Sequence, residues 1–527
     1  MISRIYSAAL YGIDAFRVTV EVHVGRGIGF FLSGLPDDAI KECRSRIEIA
    51  LQTNEYDMPR TKLSVNLAPA DVRKLGTGYD LPVALGILLS SGQVKDHGKL
   101  SDYMIVGELG LDGCIYSVRG ALSMAILARN EKFSSIIVPK ENAGEAALVE
   151  GISVYGANHI NQVIQLVTTG TGMVPEKAPG EFKPRKHSLD FSDVKGQHTV
   201  KRGLEIAAAG GHNSIIIGPP GTGKSMLARR LPSILPPLTP EESLDTTMIY
   251  SISEKGGMHG LVSERPFRSP HHTISDSGLA GGGSIPTPGE LSLAHNGVLF
   301  LDELPEFKRT VIEVLRQPLE KRKIVISRAK GTLEFPASFM LLAAMNPCVC
   351  GYYGHPTRKC TCSSKAVYWY RRKISGPLLD RIDLHIEAEP VNMDDLMNEG
   401  EVGESSDKIR KRVLAARAIQ LSRFTGKGMN CNAQLPDKYL RECCNIEEHA
   451  KKFLVKTMDQ FQLSARSYAR ILKVARTIAD LAGSERIELA HIAEAVHFRS
   501  LDKPLVVPLQ RSKTKAGENR LHWTNRL

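Results

Sequence analysis

The chain has 527 residues, of which 42% are apolar and 24% charged, a composition ordinary for a globular protein of about three domains. No run approaches the ~18 consecutive apolar residues of a membrane-spanning helix, so we expect a cytoplasmic protein without a membrane partner. The formal net charge of +11 favours a polyanionic partner such as nucleic acid, although many basic proteins bind none.

Residues 1–167 are predicted to form an α/β domain. Apolar residues alternate in segments that we expect to be strands, namely Arg17–Val24, Lys62–Leu67 and Ser135–Pro139. Helical spacing predicts two helices, Asp37–Gln52 and Gly120–Asn130. A stretch rich in proline, lysine and glycine follows without apolar periodicity, and we interpret residues 168–190 as a linker.

Residues 191–392 are predicted to form a second α/β domain. It begins with a strand, Asn213–Gly218, a glycine-rich loop and a helix, Lys224–Leu231. That order is typical of phosphate-binding α/β domains. Two further apolar runs predict the strands Val298–Leu301 and Met340–Ala344.

Residues 393–505 show only helical periodicity and are predicted to form a small helical domain. The expected helices are Arg410–Arg423, Asp437–Leu440, Glu447–Gln462, Ser467–Leu481 and Leu489–His497. Residues 506–527 are rich in lysine and arginine, and we interpret them as a flexible basic tail.

The loop Gly218–Ser225 matches the phosphate-binding pattern G-x-x-x-x-G-K-[ST]. Its glycines let the backbone turn tightly, so that N–H groups point at phosphate oxygens. Lysine neutralises the β- and γ-phosphates, and the hydroxyl binds Mg²⁺. A chance glycine loop is the alternative, which the flanking strand and helix disfavour. The residues expected to bind ATP are Gly218, Gly221, Thr222, Gly223, Lys224 and Ser225.

Two acidic residues follow the strand Val298–Leu301. The strand end is expected to deliver Asp302 to the Mg²⁺ ion held by Ser225, and Glu303 to polarise the attacking water. An acidic pair after a strand also resembles a helix cap, but its position after a phosphate-binding loop favours the hydrolytic interpretation.

Three more polar residues are candidates for catalysis. Asn346 follows the strand Met340–Ala344 and can orient the water or contact the γ-phosphate, unless it only ends the strand in a turn. Arg381 is a candidate arginine finger for a neighbouring subunit's nucleotide, the alternative being an internal pair with Asp380 or Asp383. Arg466, at the start of a helix in the helical domain, can reach the same nucleotide, and Arg470 competes for that role.

Four cysteines lie close together in the sequence, as Cys348-x-Cys350 and Cys360-x-Cys362. Four thiolates are a common set of ligands for a tetrahedral Zn²⁺ ion, with His355 as a fallback ligand. The single-residue gap within each pair is less typical than C-x-x-C, and free thiols remain the alternative. Disulfides are disfavoured in the cytosol. We expect the cluster to brace a loop rather than to do chemistry.

Five segments of the second domain have distinctive sequences, Phe267–Ser275, Gly289–Phe307, Leu315–Phe339, Ala343–Gly354 and Ser375–Glu387. Two more lie in the N-terminal domain, Ser33–Ile47 and Ala68–Leu88. Together they resemble the ComM/YifB family of magnesium-chelatase-like AAA+ proteins. The resemblance implies an AAA+ P-loop α/β domain with a C-terminal helical lid. It also implies a ring-forming ATPase, a hexamer, with a branch-migration helicase role during integration of incoming DNA.

Two β-prone segments, Lys323–Ser327 and Thr332–Phe335, predict a hairpin around Ala329–Gly331. In related ring helicases a hairpin before the sensor strand projects into the pore, where its charges follow phosphates. The candidate DNA-binding residues are Lys321, Arg322, Lys323, Arg328 and Lys330. A solvated surface hairpin is the alternative. His271 and His272 can contact phosphate, or pack together within their loop.

The N-terminal domain also resembles the protease domain of Lon, which has a ribosomal S5 domain 2-like fold. Lon carries its nucleophilic serine in a G-P-S-A-G turn, and Gly78–Pro82 is the matching stretch, with Asp80 at the serine position. Gly120–Arg129 lacks the lysine expected next. Because the serine–lysine dyad needs both members, proteolysis is disfavoured.

Two functions compete on this evidence: a DNA motor, and a chelatase-type ATPase that drives metal insertion into a porphyrin through partner subunits. We expect a chelatase subunit to need neither the Lon-like domain nor the cysteine cluster. DNA-stimulated ATPase activity separates the two.

Overall fold

The computed structural model describes residues 2–74, 76–177, 188–253, 260–283, 286–328, 331–390 and 403–502, with only the backbone described for Arg328 and Gly331. Lys330, the basic tail and part of the linker therefore lie outside the described residues.

The N-terminal domain is built on a mixed seven-stranded sheet. The domain's strands are β1 Ile2–Tyr11, β2 Asp14–Gly25, β3 Gly29–Ser33, β4 Lys62–Ala68, β5 Tyr103–Ile105, β6 Glu108–Leu109, β7 Ile115–Tyr116, β8 Ser135–Pro139 and β9 Ser153–Ala157. The sheet order is β3-β4-β2-β1-β5-β8-β9, and β6 and β7 pair separately. Strands β1 and β2 pair antiparallel from Ile2 opposite His23 to Tyr11 opposite Asp14.

Helices cover this sheet and complete its core. They are Asp38–Lys41, Cys43–Thr53, Asp80–Ser90, Ala121–Asn130, Lys140–Ala146 and Ile160–Thr169. Alternate residues of β2 (Val18, Val20 and Val22) are fully buried beneath the helix Asp80–Ser90. That helix is buried along its whole length, so its sequence is apolar all round and shows no amphipathic period that predicts a helix.

The second domain is built on a five-stranded, all-parallel sheet. Its strands are β10 Ser214–Ile217, β11 Phe267–Arg268, β14 Val298–Leu301, β17 Met340–Met345 and β18 Leu384–Glu387, in the order β11-β14-β17-β10-β18. Two short strands, β12 Gly281–Gly282 and β13 Thr287–Pro288, pair separately. Strands β10, β14 and β17 are buried on both faces, which explains their unbroken apolar runs.

The helices of the second domain are His198–Gly210, Lys224–Arg230, Pro240–Ile252, Asp276–Ala280, Glu290–Leu293, Arg309–Val314, Arg316–Lys321, Ser364–Arg371 and Gly376–Leu379. Short 3₁₀ turns lie at Phe191–Asp193, Leu231–Ile234 and Leu304–Glu306. Strand β17 lies between β10 and β14, so the carboxyl ends of these three parallel strands meet at one edge of the sheet. The phosphate loop, Asp302 and Asn346 follow those three ends.

A hairpin is inserted in the sequence of the second domain between β14 and β17. Strand β15, Lys323–Arg328, pairs antiparallel with β16, Gly331–Pro336, from Lys323 opposite Pro336 to Arg328 opposite Gly331. The predicted hairpin is thus present. The turn of the N-terminal β1–β2 pair contacts it, because Tyr11 Oη donates a 3.3 Å hydrogen bond to the Thr332 carbonyl.

The C-terminal region is helical. Its helices are Ser406–Arg423, Leu440–Cys443, Glu448–Phe461, Ala465–Ala482 and Leu489–His497, with 3₁₀ turns at Asn432–Gln434, Asp437–Tyr439 and Ser500–Asp502. Buried Val413 and Leu472 from these helices share one hydrophobic core with Leu204 and Ile216 of the second domain. Within the described residues no helix is both long and apolar enough to cross a bilayer. The predicted fold class, an N-terminal α/β sheet domain, a parallel P-loop sheet and a C-terminal helical region, is confirmed.

Candidate nucleotide site and cysteine cluster

The phosphate loop owes its shape to its glycines. Gly221 and Gly223 have φ of +83° and +79°, a left-handed conformation that side chains other than glycine rarely adopt. A β-carbon on Gly218 would lie 2.6 Å from the Ala388 carbonyl oxygen, so this position has no room for a side chain. Thr222 is buried, and its hydroxyl donates a 2.9 Å hydrogen bond to the Pro219 carbonyl.

Lys224 is held inside the loop by three acceptors. Its Nζ donates to the carbonyls of Gly218 (2.7 Å) and Pro219 (2.8 Å) and to Asn346 Oδ1 (3.1 Å). Burial lowers the pKa of this ammonium, and the nearby carboxylates of Asp302 and Glu303 act in the opposite direction. A partly buried cation whose acceptors are neutral oxygens is arranged to exchange them for a phosphate.

Ser225 and Asp302 meet across the edge of the sheet. The Ser225 hydroxyl donates a hydrogen bond to one carboxylate oxygen of Asp302. The other oxygen accepts the backbone N–H of Glu303 at 3.0 Å, which fixes the orientation of the carboxylate. Two hard oxygen ligands converging on one point fit a Mg²⁺ ion, which prefers carboxylate and hydroxyl oxygens.

Glu303 follows Asp302 in a left-handed conformation, with φ of +51°. Non-glycine residues seldom adopt this region, and they cluster at functional sites when they do. The Glu303 side chain is exposed at the strand end, beside the loop that holds Lys224. Asn346 occupies the corresponding position after β17, and its contact with Lys224, together with the contact of Ser225 with Asp302, brings together the ends of three strands.

Arg381 has a partner that neither sequence interpretation named. Its guanidinium pairs with Glu320 and also donates to the Pro377 carbonyl, and its side chain is only 13% exposed. Glu320 precedes it by 61 positions and lies on the helix before the hairpin, so no local pattern indicates the pair. Asp380 and Asp383, the two predicted internal partners, bind other arginines.

The two arginines of the helix Ala465–Ala482 lie in different environments. Arg466 is 69% exposed and lies 3.3 Å from Asp380, one residue before Arg381. Arg470 donates a 2.8 Å hydrogen bond to the buried Asp383. The charge of Arg470 holds the pKa of Asp383 far below its usual range, although burial acts in the opposite direction. Arg470 is therefore committed to an internal ion pair, whereas Arg466 presents its charge to solvent.

The four predicted cysteines form one cluster, the only group of potential metal ligands among the described residues. All four Sγ atoms lie within 4.8 Å of one another, and Cys348 Sγ is 3.3 Å from that of Cys350 and 3.7 Å from that of Cys360. A tetrahedral Zn²⁺ with Zn–S bonds of about 2.3 Å requires sulfurs about 3.8 Å apart, so the set fits zinc. His355 does not join the cluster; its Nδ1 accepts the N–H groups of Thr357 and Arg358.

The cysteine cluster lies directly against the nucleotide loop. A β-carbon on Gly351, between the two cysteine pairs, would lie 2.6 Å from Pro220 Cδ. Arg371 Nε donates a 3.2 Å hydrogen bond to the carbonyl of Pro347, the residue between Asn346 and Cys348. Contact with Pro220 is consistent with the predicted bracing role of the cluster, which stays a prediction.

The candidate DNA-binding residues occupy two different places. Lys321 is exposed near the hairpin base, and Lys323 Nζ lies 2.7 Å from Glu334 Oε2 of the opposite strand. Arg322 instead lines an interior cleft with Arg417 and Cys431, where burial lowers its pKa. The side chains of Arg328 and Lys330 lie outside the described residues.

The two histidines of the Phe267–Ser275 segment contact each other with their rings tilted by 35°. The rings of His271 and His272 have centroids 4.0 Å apart, and His272 also meets the edge of Phe307 at 6.3 Å. His271 Nδ1 lies 2.9 Å from the Thr273 hydroxyl. This loop therefore packs beside the acidic segment that contains Glu303, with His271 exposed.

At the position of the Lon serine, the N-terminal domain has a buried ion pair. Arg46 binds both oxygens of Asp80, at 2.8 and 3.1 Å, and burial raises the pKa of this carboxyl to about 6. Each charge is neutralised and hydrogen-bonded by the other, as a buried ion pair with a structural role requires. This geometry offers no nucleophile at the position where proteolysis needs one.

Comparison with known families covers most of the chain. The family described as magnesium chelatase, subunit ChlI, matches residues 190–396, its C-terminal part matches residues 403–499, and the family described as subunit ChlI of Mg-chelatase matches residues 20–142.

Whole proteins of similar sequence point the same way. Competence protein ComM of Haemophilus influenzae is 44% identical over 504 residues, which cover 94% of this chain and 97% of that protein. YifB of Escherichia coli strain K12 is 42% identical over 515 residues, covering 97% and 100%. The magnesium-chelatase 67 kDa subunit of Chlorobaculum parvum is 27% identical over 161 residues, covering only 30% and 23%. The chain belongs to the ComM/YifB family of magnesium-chelatase ChlI-like ATPases.

Proposed function

We propose that this ATPase is a ring-shaped DNA motor, a hexameric helicase that promotes branch migration while incoming DNA is integrated by homologous recombination. The observation that carries the proposal is the β15–β16 hairpin, which is inserted in the sequence between β14 and β17 and has Lys321 and Lys323 at its base. Similarity to a protein named for competence, over nearly the whole chain, supports it.

In this proposal the residues that follow β10, β14 and β17 have different roles in ATP hydrolysis. Lys224 releases its three neutral acceptors and binds the β- and γ-phosphates. Ser225 and Asp302 hold Mg²⁺, which neutralises charge on the phosphates when bound. Glu303 accepts a proton from the attacking water, and the Asn346 amide orients that water or the γ-phosphate.

Two arginines complete the site in an assembled ring. Arg381 acts as an arginine finger on the neighbouring subunit's nucleotide, after exchanging Glu320 for phosphate oxygens. Arg466, exposed at the start of its helix, reaches the nucleotide from the helical domain. Its contact with Asp380 joins that helix to the segment that carries Arg381.

The cysteine cluster binds one Zn²⁺ ion through Cys348, Cys350, Cys360 and Cys362. Thiolates held this close repel one another strongly unless a cation separates them. The bound ion fixes the loop that rests on Pro220 and so keeps the phosphate loop in position. Its role is structural, because all four coordination positions are taken by protein ligands.

A chelatase-type ATPase that drives metal insertion into a porphyrin through partner subunits is the second candidate. The family matches favour it, since all three are named for a chelatase subunit. Because one of those matches covers residues 20–142, the N-terminal domain does not distinguish the two functions as the sequence led us to expect. The match over residues 190–396 likewise spans the cysteine cluster and the hairpin, so neither feature distinguishes the two functions by itself. What favours the motor is similarity to the competence protein over 94% of the chain, against 30% for the chelatase subunit.

The deciding experiment is the ATPase rate of purified protein with and without single-stranded and forked DNA, at stated salt. A motor is expected to hydrolyse ATP faster on DNA and to displace a strand, with Glu303→Gln as the turnover-dead control. An ATPase rate that DNA leaves unchanged, together with no binding of DNA, would reject the motor and leave the chelatase candidate. Casein degradation with ATP tests the disfavoured protease activity.

A further inference from the structure

The polypeptide around the cysteine cluster has an unusual charge. We define the cysteine segment as residues 348–373. It contains five aromatic and six basic residues and no aspartate or glutamate. The basic residues are Arg358, Lys359, Lys365, Arg371, Arg372 and Lys373. An uninterrupted positive charge of this density is expected on a surface that meets a polyanion.

The helix Ser364–Arg371 sorts these residues onto two faces. Val367 and Tyr370 point into the core and are almost fully buried. Lys365, Trp369 and Arg372 are exposed at spacings of three and four, so they share the opposite face. Trp369 is 57% exposed, which is unusual for the largest apolar side chain. An aromatic ring left in water between two cations is a surface suited to binding.

Arginine and aromatic side chains alternate across this surface. The Arg372 guanidinium lies 5.2 Å from the ring centre of Tyr368 and 5.8 Å from that of Trp369. Arg371 lies 5.2 Å from the Tyr353 ring. Single-stranded nucleic acid is bound by this combination, in which bases stack on aromatic rings while guanidinium groups contact phosphates and add cation–π energy.

The same segment is connected to the nucleotide site. Its Gly351 rests on Pro220 of the phosphate loop, and Arg371 holds the Pro347 carbonyl beside Asn346. The buried Tyr370 hydroxyl also lies near the Asn346 backbone. A ligand on the exposed face of the helix is therefore one layer of side chains away from groups that contact ATP.

We propose that the exposed face of the cysteine segment, centred on Trp369 with Lys365, Tyr368 and Arg372, is a second DNA-binding surface that stacks the bases of single-stranded DNA. It is separate from the β15–β16 hairpin, and the proposal rests on the proposed DNA-motor function. The charge of the segment favours DNA over a second copy of the chain, because a chain with a net charge of +11 supplies no matching excess of acidic groups.

Intrinsic fluorescence provides a direct test, because the chain has only two tryptophans, Trp369 and Trp523. In a full-length Trp523→Phe protein, all tryptophan emission comes from Trp369. Titration with a single-stranded thymidine homopolymer should quench that emission, as stacking on a base does. Trp369→Ala should weaken binding by roughly 5- to 150-fold, the range for loss of one stacked base, while Trp369→Phe retains most of the affinity.

A matched pair of charge variants accompanies the stacking test. Lys365→Ser with Arg372→Ser should flatten the dependence of log affinity on log salt by about 1.4, since each lost phosphate contact contributes about 0.7 for single strands. Lys451→Ser with Lys452→Ser removes two exposed charges from the helix Glu448–Phe461 and should leave the slope unchanged. Unchanged basal ATPase rate and metal content confirm that the variants are folded.

The outcomes separate this surface from the motor itself. If the Trp523→Phe protein binds DNA without quenching, and Trp369→Ala binds equally well, the surface is wrong while the motor stands. If no DNA binds to any variant, both proposals fail together. If Trp369→Ala instead lowers the mass of the assembly, the face lies between copies of the chain and the DNA surface is rejected.

Discussion

Lys224 Nζ donates a hydrogen bond of 3.1 Å to Asn346 Oδ1, joining the ends of the adjacent strands β10 and β17. The lysine follows the phosphate loop, and the amide follows the strand that separates that loop from Asp302. We expect a γ-phosphate entering this space to replace the amide and the two loop carbonyls as the acceptor of the lysine, and so to release the Asn346 side chain.

Substitutions at Lys224 and Glu303 should separate binding from turnover. Lys224→Ala is expected to abolish nucleotide binding, because it removes the cation that neutralises the phosphates. Glu303→Gln should bind ATP normally and lose turnover by roughly 10²- to 10⁴-fold, the usual contribution of a general base. Calorimetric binding and a steady-state ATPase assay measure the two effects. Normal hydrolysis by Glu303→Gln would refute the assignment.

Mixing experiments test whether Arg381 acts across a subunit interface. Arg381→Ala alone should lower the ATPase rate by on the order of 10³-fold, as loss of an arginine finger does. Mixing it with Lys224→Ala subunits should restore part of the rate, since each variant supplies what the other lacks. No recovery at any ratio, despite confirmed co-assembly, counts against a shared site.

Glu320→Gln is the matched control for Arg381. It removes the internal ion pair but keeps the arginine. If the arginine works in trans, this variant should retain near-normal activity. If Arg381 only bridges to Glu320, the two variants should lose activity alike.

Metal analysis should find about one zinc ion per chain. Changing Cys350 and Cys362 together to serine is expected to remove the ion and lower thermal stability, because binding energy at a structural zinc site is folding energy. Cys114→Ser, at a half-exposed cysteine outside the cluster, should keep both. A metal-free, fully reduced and stable wild type would rule zinc out.

Neutralising Arg328 and Lys330 tests the hairpin. Lys323 is less suitable, since its ion pair with Glu334 helps to hold the two strands together. The double variant should weaken DNA binding across all sequences and flatten the salt dependence by about 1.4 for single strands, because phosphate contacts carry no base information. Basal ATPase and assembly should survive, while DNA stimulation and strand displacement fall. Wild-type unwinding with an unchanged salt slope would show that the hairpin is only a surface element.

Stability should fall in mild acid because of His295. Burial lowers the pKa of this imidazole to about 4, from 6.5, and its Nδ1 accepts the Ser338 N–H at 3.0 Å. Between pH 6.5 and about 4 the unfolded chain binds a proton at His295 that the folded chain excludes. The free energy of unfolding is therefore unaffected above the unfolded pKa of 6.5, and it declines as the pH falls from there towards the folded pKa of about 4. From pH about 7.5 to about 5 the loss is about 2 kcal/mol from this residue.

Hydrogen exchange of the β17 amides at the two pH values measures that loss. His295→Asn, whose amide oxygen can accept the same N–H, should reduce the pH dependence. It should not remove it, because burial also keeps the pKa of His385 well below its ordinary value. An identical pH dependence in the variant would show that His295 does not contribute.

Contiguous motifs determined much of this protein from sequence. The phosphate loop and the strands beside it were predictable because glycine, lysine and acidic residues must follow buried strands directly, and β14 agrees with the prediction at both ends. The antiparallel hairpin was predictable from alternation, since a short turn fixes its register. The helix Asp80–Ser90 was not predictable, because a helix buried on all sides has an apolar sequence without helical periodicity.

Only the tertiary structure decided which charged groups meet. Glu320 and Arg381 lie 61 positions apart, and packing of the helix before the hairpin against the Arg381 segment brings them together. The position of the helix Ala465–Ala482 beside Asp383 commits Arg470 to that carboxylate and leaves Arg466 exposed, although one helical turn separates the two arginines. Sequence spacing places a side chain on a face of its own helix, whereas its partner and its exposure depend on the element that packs against that face.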